Sequence, residues 1–281
     1  GHGFKATIKR FCYENFKMHK VFYQFDCDLF LTFSHYLPNI SFRKIPSIVG
    51  ISNLAPFSKI AIKEEKLSVK LKLYLLKKLI LSSMRRANSI ISLSKTCTDI
   101  LISKGIDKKK ILTIRNGVNK FWFEDDKNST FEKHKYGKFV LYVSHFYRYK
   151  NHLRLVKAFS NLKKELDEDI KMVFVGNHAD KKYLTEIEQN IEVENIKNNI
   201  FILDSMRKEE LRSLYQNSYM VIFPSLIENS PNILLESMAS GCAISTSNYD
   251  PMTEHCGNAA IYFDPLDIKD ITKSMYRIFN D

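Results

Sequence analysis

The run Tyr219-Met220-Val221-Ile222-Phe223-Pro224-Ser225-Leu226-Ile227-Glu228-Asn229-Ser230-Pro231-Asn232-Ile233-Leu234-Leu235-Glu236-Ser237-Met238-Ala239-Ser240-Gly241 passes from an apolar segment through a polar loop into a helical pattern. The apolar residues up to Phe223 read as a buried strand, and Leu234, Leu235, Met238 and Ala239 recur at the spacing of a packed helix. Ser230 suits the N-cap and Pro231 the first helical position, so the helix is expected to start between Glu228 and Glu236. The free N–H groups of such a start favour an anion such as a diphosphate. Glu236, about a turn and a half into the helix, is placed to accept hydrogen bonds from a ribose diol, while Glu228 stays in the loop, nearer a sugar. This is the pattern of a nucleotide-sugar site.

The same strand-then-helix unit recurs on either side. Apolar runs at Phe139 to Val143, Met172 to Val175, Ile200 to Leu203, Ala243 to Ser245 and Ala260 to Phe263 alternate with helical patterns such as His152 to Leu166 and Lys208 to Tyr215. Alternation of this kind predicts an α/β fold with a doubly wound parallel sheet, whose ligands gather beyond the carboxyl ends of the strands. The first half shows candidate strands at Leu29 to Phe33, Ser47 to Ile51, Ser89 to Leu93 and Ile111 to Ile114. Asn116-Gly117 is a turn signal between the halves, giving domains at 1–118 and 119–281.

With 281 residues, 44% hydrophobic and 26% charged, the chain has material for one large or two ordinary domains, and a folded rather than a disordered chain is expected. No apolar run approaches the length of a membrane span and no signal-like leader stands out, so a cytoplasmic protein is expected, associated with the inner face of the membrane. The five cysteines form no C-x-x-C pair, which argues against a disulfide framework and a thiolate zinc site. The net charge of +12 is lopsided: residues 1–130 hold 24 of the 43 basic residues and only 10 of the 31 acidic ones. Nucleic acid, an anionic membrane surface and a lipid-diphosphate acceptor all fit such a patch. The chain lacks a recognisable nucleic-acid module, so no nucleic-acid partner is expected. Leu67 to Arg86 reads as one long cationic helix, with Leu67, Leu71, Tyr74, Leu75 and Leu79 at helical spacing. The first reading is that this stripe covers a sheet; the second is that it skims a membrane.

Several motifs in order give a family resemblance. Ile90-Ile91-Ser92-Leu93-Ser94, then Ile111-Leu112-Thr113-Ile114-Arg115-Asn116-Gly117-Val118, then Val140-Leu141-Tyr142-Val143-Ser144 leading to Tyr149-Lys150-Asn151, and finally the Glu228/Glu236 span, together resemble glycosyltransferase family 4, the group 1 glycosyl transferases of GT-B fold. The resemblance runs from about Pro46 to Asp267. It implies two Rossmann-like domains facing a cleft, an acceptor-side first domain and a nucleotide-sugar-binding second one. It further implies an enzyme of the hexosyltransferase type that moves a sugar from a nucleoside diphosphate to an acceptor hydroxyl with retention, in cell-surface polysaccharide or glycolipid synthesis. The implied partners are the donor, a glycan or lipid-linked acceptor, and an anionic membrane met peripherally. No metal or other cofactor is required in that scheme. Lys150 and Glu228 are the catalytic residues implied, with Glu236, Ser230, Pro231, Asn232, Ile233, Ser144 and Arg148 on the donor and Ser52, Asn53 and His35 on the acceptor side.

The sequence departs from the family at Ser144-His145, where many members have Gly-Arg, and at Ser52-Asn53, where many have His-Asp. It also looks short at both ends, so that the first domain is expected to be incomplete. These departures keep a second reading open, an inert nucleotide-sugar-binding or interaction protein with the GT-B fold. Asp26-Cys27-Asp28 has a metal-binding spacing but no accompanying ligands, and no H-E-x-x-H pattern exists, so no metal is expected. Glu254 matches a family position near the donor, although capping of a helix terminus explains it equally well.

Overall fold

A computed structural model of the chain describes residues 27–38, 45–125, 135–166, 168–178 and 180–280, with scattered positions before residue 26. Asp26 of the D-x-D spacing lies outside the described residues. The chain divides into two compact units, Gly1–Phe57 with Lys66–Arg115, and Ser58–Glu65 with Asn116–Asp281. The division is therefore not one cut at residue 118. Helix α1 (Lys59–Glu64), capped by Ser58 Oγ on the Ala61 amide at 3.1 Å, packs on the 3-10 turn Arg148–Lys150, and Glu64 pairs with Arg154 at 3.1 Å.

In the first unit the described strands β1 (Phe30–Thr32), β2 (Ser47–Ile51), β3 (Ser89–Ser92) and β4 (Ile111–Thr113) form a parallel sheet in sequence order. Helix α2 (Leu67–Arg86) links β2 to β3, and α3 (Lys95–Ser103) links β3 to β4. In and beside these strands Phe30, Val49, Ile51 and Ile90 are buried, whereas Leu29, Leu31, Phe33, Leu112 and Ile114 are exposed. One corrected expectation concerns α2. Its buried side carries Ile80, Ser83 and Met84, with Val69, Leu73 and Leu76 partly covered. The stripe Leu67, Leu71, Tyr74, Leu75 and Leu79 faces solvent instead of covering the sheet. The helix has two apolar stripes of the same period, and burial is decided by which one meets the neighbouring strands.

In the second unit β5 (Lys138–Val143), β6 (Ile170–Val175), β7 (Ile200–Leu203), β8 (Met220–Phe223), β9 (Ile244–Ser247) and β10 (Ile261–Phe263) form a parallel sheet in the order β10-β9-β8-β5-β6-β7. The order reverses between β5 and β8, which is the topological switch point of a doubly wound sheet. Helices α4 (His152–Glu165), α5 (Lys181–Val193), α6 (Lys208–Asn217), α7 (Asn232–Ala239), α8 (Met252–Cys256) and α9 (Ile268–Asn280) connect or close these strands. Alternate residues feed two cores: Val140, Tyr142, Met172, Phe174 and Ile222 lie in one, and Phe139, Leu141, Val173, Val175 and Val221 in the other. Both faces are thus covered, as an all-parallel sheet requires.

The strand β9 runs past the predicted Ser245 into buried Thr246 and Ser247. These hydroxyls are tolerated because Thr246 donates to the Phe223 carbonyl at 3.2 Å and Ser247 to the Ser225 carbonyl at 2.7 Å.

Candidate functional site

The switch point joins the loop after β5 to the loop after β8. The amide of Leu226 donates to the Tyr149 carbonyl at 2.8 Å, and Tyr142, buried in β5, donates its hydroxyl to the Lys150 carbonyl at 2.7 Å. A close backbone approach fixes the same loop from the β6 side. At Gly176 (φ +157°) a Cβ would lie 1.9 Å from the Ser144 carbonyl oxygen, so only glycine lets the end of β6 pass beneath the β5 loop.

Lys150 and Glu228, 78 residues apart, form an ion pair at this crevice. The pair is largely buried, with the lysine side chain 10% and the glutamate 14% exposed. Ser225 Oγ donates to the same Glu228 oxygen at 2.7 Å, and the Lys150 ammonium lies 5.5 Å and 5.6 Å from the ring centres of Tyr149 and Phe223. A charge this buried is stable only while its counter-charge and hydrogen bonds are in place. His145 beside it is held below its ordinary value, first by partial burial and then by the Lys150 ammonium.

Helix α7 starts one residue later than the sequence indicated. Pro231 is the N-cap (φ −74°, ψ 94°) and Asn232 the first helical residue, because the extended Pro231 turns its carbonyl to the amides of Leu234 at 3.0 Å and Leu235 at 3.2 Å. Ser230 therefore does not cap: its buried Oγ has no partner among the described residues. No side chain caps the helix, which leaves the amides of Asn232 and Ile233 without an acceptor among the described residues. Asn116 holds the turn from the side, donating to Asn232 Oδ1 at 2.7 Å. Glu236 is half-buried, with no hydrogen bond or ion pair among the described residues, and burial raises its carboxyl above the ordinary range.

Two donor-side candidates point elsewhere. Arg148 pairs with Glu186 of α5 and stands over the Tyr183 ring, 5.1 Å from its centre. Burial works against its charge, but the Glu186 bond and charge outweigh burial and raise its pKa. Ser144 is buried, its Oγ 3.1 Å from His152 Nε2. His152 is itself fully buried and stacked on Phe146 at 4.4 Å, and desolvation, then Lys150 and His178, bring it down to about 3. It is neutral at physiological pH.

In the first unit, Ser52 Oγ lies 3.3 Å from His35 Nδ1 beyond the ends of β2 and β1. Asn53 spends its Oδ1 on the Ala55 amide at 2.8 Å. Glu254 sits on the first turn of α8, after β9. Among the described residues no group of three or more His, Cys, Asp or Glu side chains converges as a metal site.

The model of the family described as glycosyl transferases group 1 matches residues 120–281, nearly the whole second unit and more than half of the chain. The chain belongs to this family. A curated relative of this group 1 chain is the O-antigen chain mannosyltransferase RfbU of Salmonella typhimurium, 28% identical over 188 residues, covering 66% of this chain and 50% of that one. The chain spans about half the length of the curated relatives it matches. Among solved structures, WaaG, described as a glycosyltransferase involved in lipopolysaccharide biosynthesis, superposes with a TM-score of 0.75 at 11% identity, covering 94% of this chain and 72% of that one. Alr3699/HepE of Anabaena, crystallised with UDP-glucose, gives 0.69 at 15% identity over 85% and 64%. The fold of this group 1 chain is the GT-B fold.

Sequence reading had not singled out four contributors to the site: Ser225, Asn116, Gly176 and His152. Of these, Gly176, a glycine where the apolar run to Val175 meets a loop, and Asn116, in the Asn116-Gly117 turn and the motif that ends at Val118, carried a usable signal.

Proposed function

We propose that this chain is a retaining glycosyltransferase of the hexosyltransferase type, moving a sugar from a nucleoside-diphosphate-sugar to an acceptor hydroxyl in bacterial cell-surface polysaccharide or glycolipid synthesis. The observation that carries the reading is the unpartnered, half-buried carboxylate of Glu236 behind two uncapped amides at the switch point. A ribose diol donating to Glu236 would restore the hydrogen bonds that burial removed, and the amides of Asn232 and Ile233 would receive diphosphate oxygens. Lys150 then meets the charge that grows on the diphosphate as the bond from the anomeric carbon to its oxygen breaks, while the acceptor oxygen bonds to that carbon and releases its proton. Glu228, held by Ser225, orients the sugar and neutralises Lys150 until the donor arrives. A fixed ammonium and helix amides supply the positive charge, so the scheme requires no metal. Support comes from relatives named as O-antigen and capsular glycosyltransferases and from HepE, whose structure contains UDP-glucose. Peripheral contact of the basic first unit with an anionic membrane belongs to the same reading, as does a lipid-linked acceptor.

A second reading, an inert nucleotide-sugar-binding protein, is favoured by Asn53, whose side chain is committed to capping a turn. Calorimetry with UDP, GDP and ADP, without added metal, tests the donor pocket. One nucleotide should bind selectively, and Glu236→Ala should weaken it about tenfold to a hundredfold. Unchanged affinity in the variant would sink the ribose assignment. Release of nucleoside diphosphate from the matching sugar donor separates enzyme from inert binder.

A further inference from the structure

We infer that Glu64 and Arg154 are positioning residues for Lys150, acting through Asn151, so that a segment from the first half of the chain sets the aim of the ammonium. Asn151, the residue after Lys150, takes up left-handed backbone (φ 67°, ψ 25°), where a residue with a side chain is uncommon. It closes the 3-10 turn Arg148–Lys150 and is also the N-cap of α4. An asparagine at an N-cap ordinarily spends its side-chain oxygen on an amide of the first helical turn, yet this one makes no such bond. Its side chain is spent on other segments instead: Nδ2 donates to the Pro265 carbonyl, beyond β10, at 2.7 Å, and Oδ1 accepts from Arg154 Nη1 at 2.9 Å. Asn151 itself is buried.

The second arm of the guanidinium completes the chain of contacts. Arg154 Nη2 donates to Glu64 Oε1 at 3.1 Å, and both side chains are mostly covered. Glu64 ends α1, which packs on the turn Arg148–Lys150 itself. A planar fork bonded on both arms holds two groups at a fixed separation, which a point-like ammonium cannot do. Glu228 thus meets the charged end of Lys150, while Asn151 and Arg154 hold the backbone from which the side chain extends. The tie reaches the first half of the chain because Ser58–Glu65 leaves the first unit after Phe57, belongs to the second, and returns to the first at Lys66. The step served is the proposed one, departure of the diphosphate from the anomeric carbon, so the inference rests on that reading and adds the residues that keep Lys150 in place. A misplacement of about 1 Å at a reacting centre can cost about a hundredfold in rate. Loss of a brace one residue from Lys150 should therefore act on turnover more than on nucleotide binding.

The test uses the full chain, reading release of UDP from UDP-glucose and of GDP from GDP-mannose, together with hydrogen exchange of the Lys150 and Asn151 amides. Glu64→Ala should lower kcat about fivefold to twentyfold, leave UDP and GDP affinity within about twofold, and speed exchange of those two amides. Exchange in β8 should stay at the parent's rate, reporting an intact second unit. Glu64→Gln keeps an acceptor oxygen for Arg154 and should recover most of the rate. Asn151→Gly accepts the same left-handed backbone without the side-chain ties, so it should lower kcat by itself, and Glu64→Ala added to it should change kcat by less than about twofold. The inference is overturned if Glu64→Ala leaves kcat and exchange at the parent's values, or if kcat and affinity fall together. It is equally overturned if the losses of the double variant multiply, as those of independent sites do. Faster exchange in Glu64→Ala, with a parent that releases neither nucleotide, would support the brace and sink the transferase reading for these donors.

Discussion

Both sheets are all-parallel, yet the described strands of the first run β1-β2-β3-β4 in sequence order, whereas the second reverses direction between β5 and β8. Reversal opens a crevice at the strand ends, because successive crossovers depart to opposite sides there. In that crevice the second unit gathers the Lys150–Glu228 pair, the uncapped start of α7 and Glu236. Among the described residues of the first unit, the strand ends hold polar contacts such as Ser52–His35 and Thr32–Ser34 but no buried ion pair, and apolar side chains on β1, β4 and α2 are exposed. Winding a sheet both ways thus does two things at once: it buries both faces and makes a polar site. Winding it one way leaves a face for other molecules or other segments to cover.

Four changes would break or sharpen that contrast. The largest effect is expected from Lys150→Ala, which removes the ammonium from the switch point and leaves Glu228 partly buried without its partner. Transfer should fall about a hundredfold to a thousandfold, with nucleotide affinity falling less, as read from kcat and calorimetry. Equal losses in both would assign Lys150 to ground-state binding alone.

Next come two glycines. A Cβ at Gly176 meets the backbone oxygen of Ser144 at 1.9 Å, whereas one at Gly50 meets the Phe33 ring at 2.2 Å. The backbone beneath the crevice has nowhere to go, but the Phe33 ring is 49% exposed and can swing aside. Urea denaturation should show Gly176→Ala losing about 1–3 kcal/mol or more, and Gly50→Ala under about 1 kcal/mol. Equal losses would mean that the first sheet is as tightly packed as the second.

His152 supplies a pH dependence that belongs to the second unit. Its folded pKa, about 3, lies below its ordinary value of 6.5, so between these values the unfolded chain binds the extra proton. Stability is therefore lost as pH falls from about 6.5 towards about 3, with a slope of up to about 1.4 kcal/mol per pH unit from this group. His152→Phe should flatten the denaturation midpoint over that window, and an unchanged slope would place the acid sensitivity elsewhere. The smallest effect is expected from Ser52→Ala, which should leave nucleotide affinity within about twofold because no residue of the donor crevice lies on β1 or β2. A larger loss would put donor contacts in the first unit.

Period and propensity made most of the fold legible. All ten described strands overlap runs read from the sequence, and Leu67–Arg86 has the bounds predicted for it, because apolar runs and helical spacing are local signals. At the site, Glu228, Lys150 and Glu236 were legible from residue type and order within motifs. The start of α7 was misplaced by one residue, since Pro231 is tolerated both in the first turn and at the cap, and only the turn of its carbonyl distinguishes the two. Arg148 and Ser144 were legible as polar groups near the crevice, but not in their commitments to Glu186 and His152 on helices elsewhere in the unit.

By itself, then, the sequence determined the element types, their order and the charges available, because each depends on neighbours a few residues away. Tertiary structure alone decided that Lys150 faces Glu228 across 78 residues, that Glu236 has no hydrogen-bond or ion-pair partner among the described residues, and that the leucines named on α2 look outward. Each of these depends on which strands become neighbours and which of two equivalent helix faces is buried, and those choices are made by packing over the whole unit.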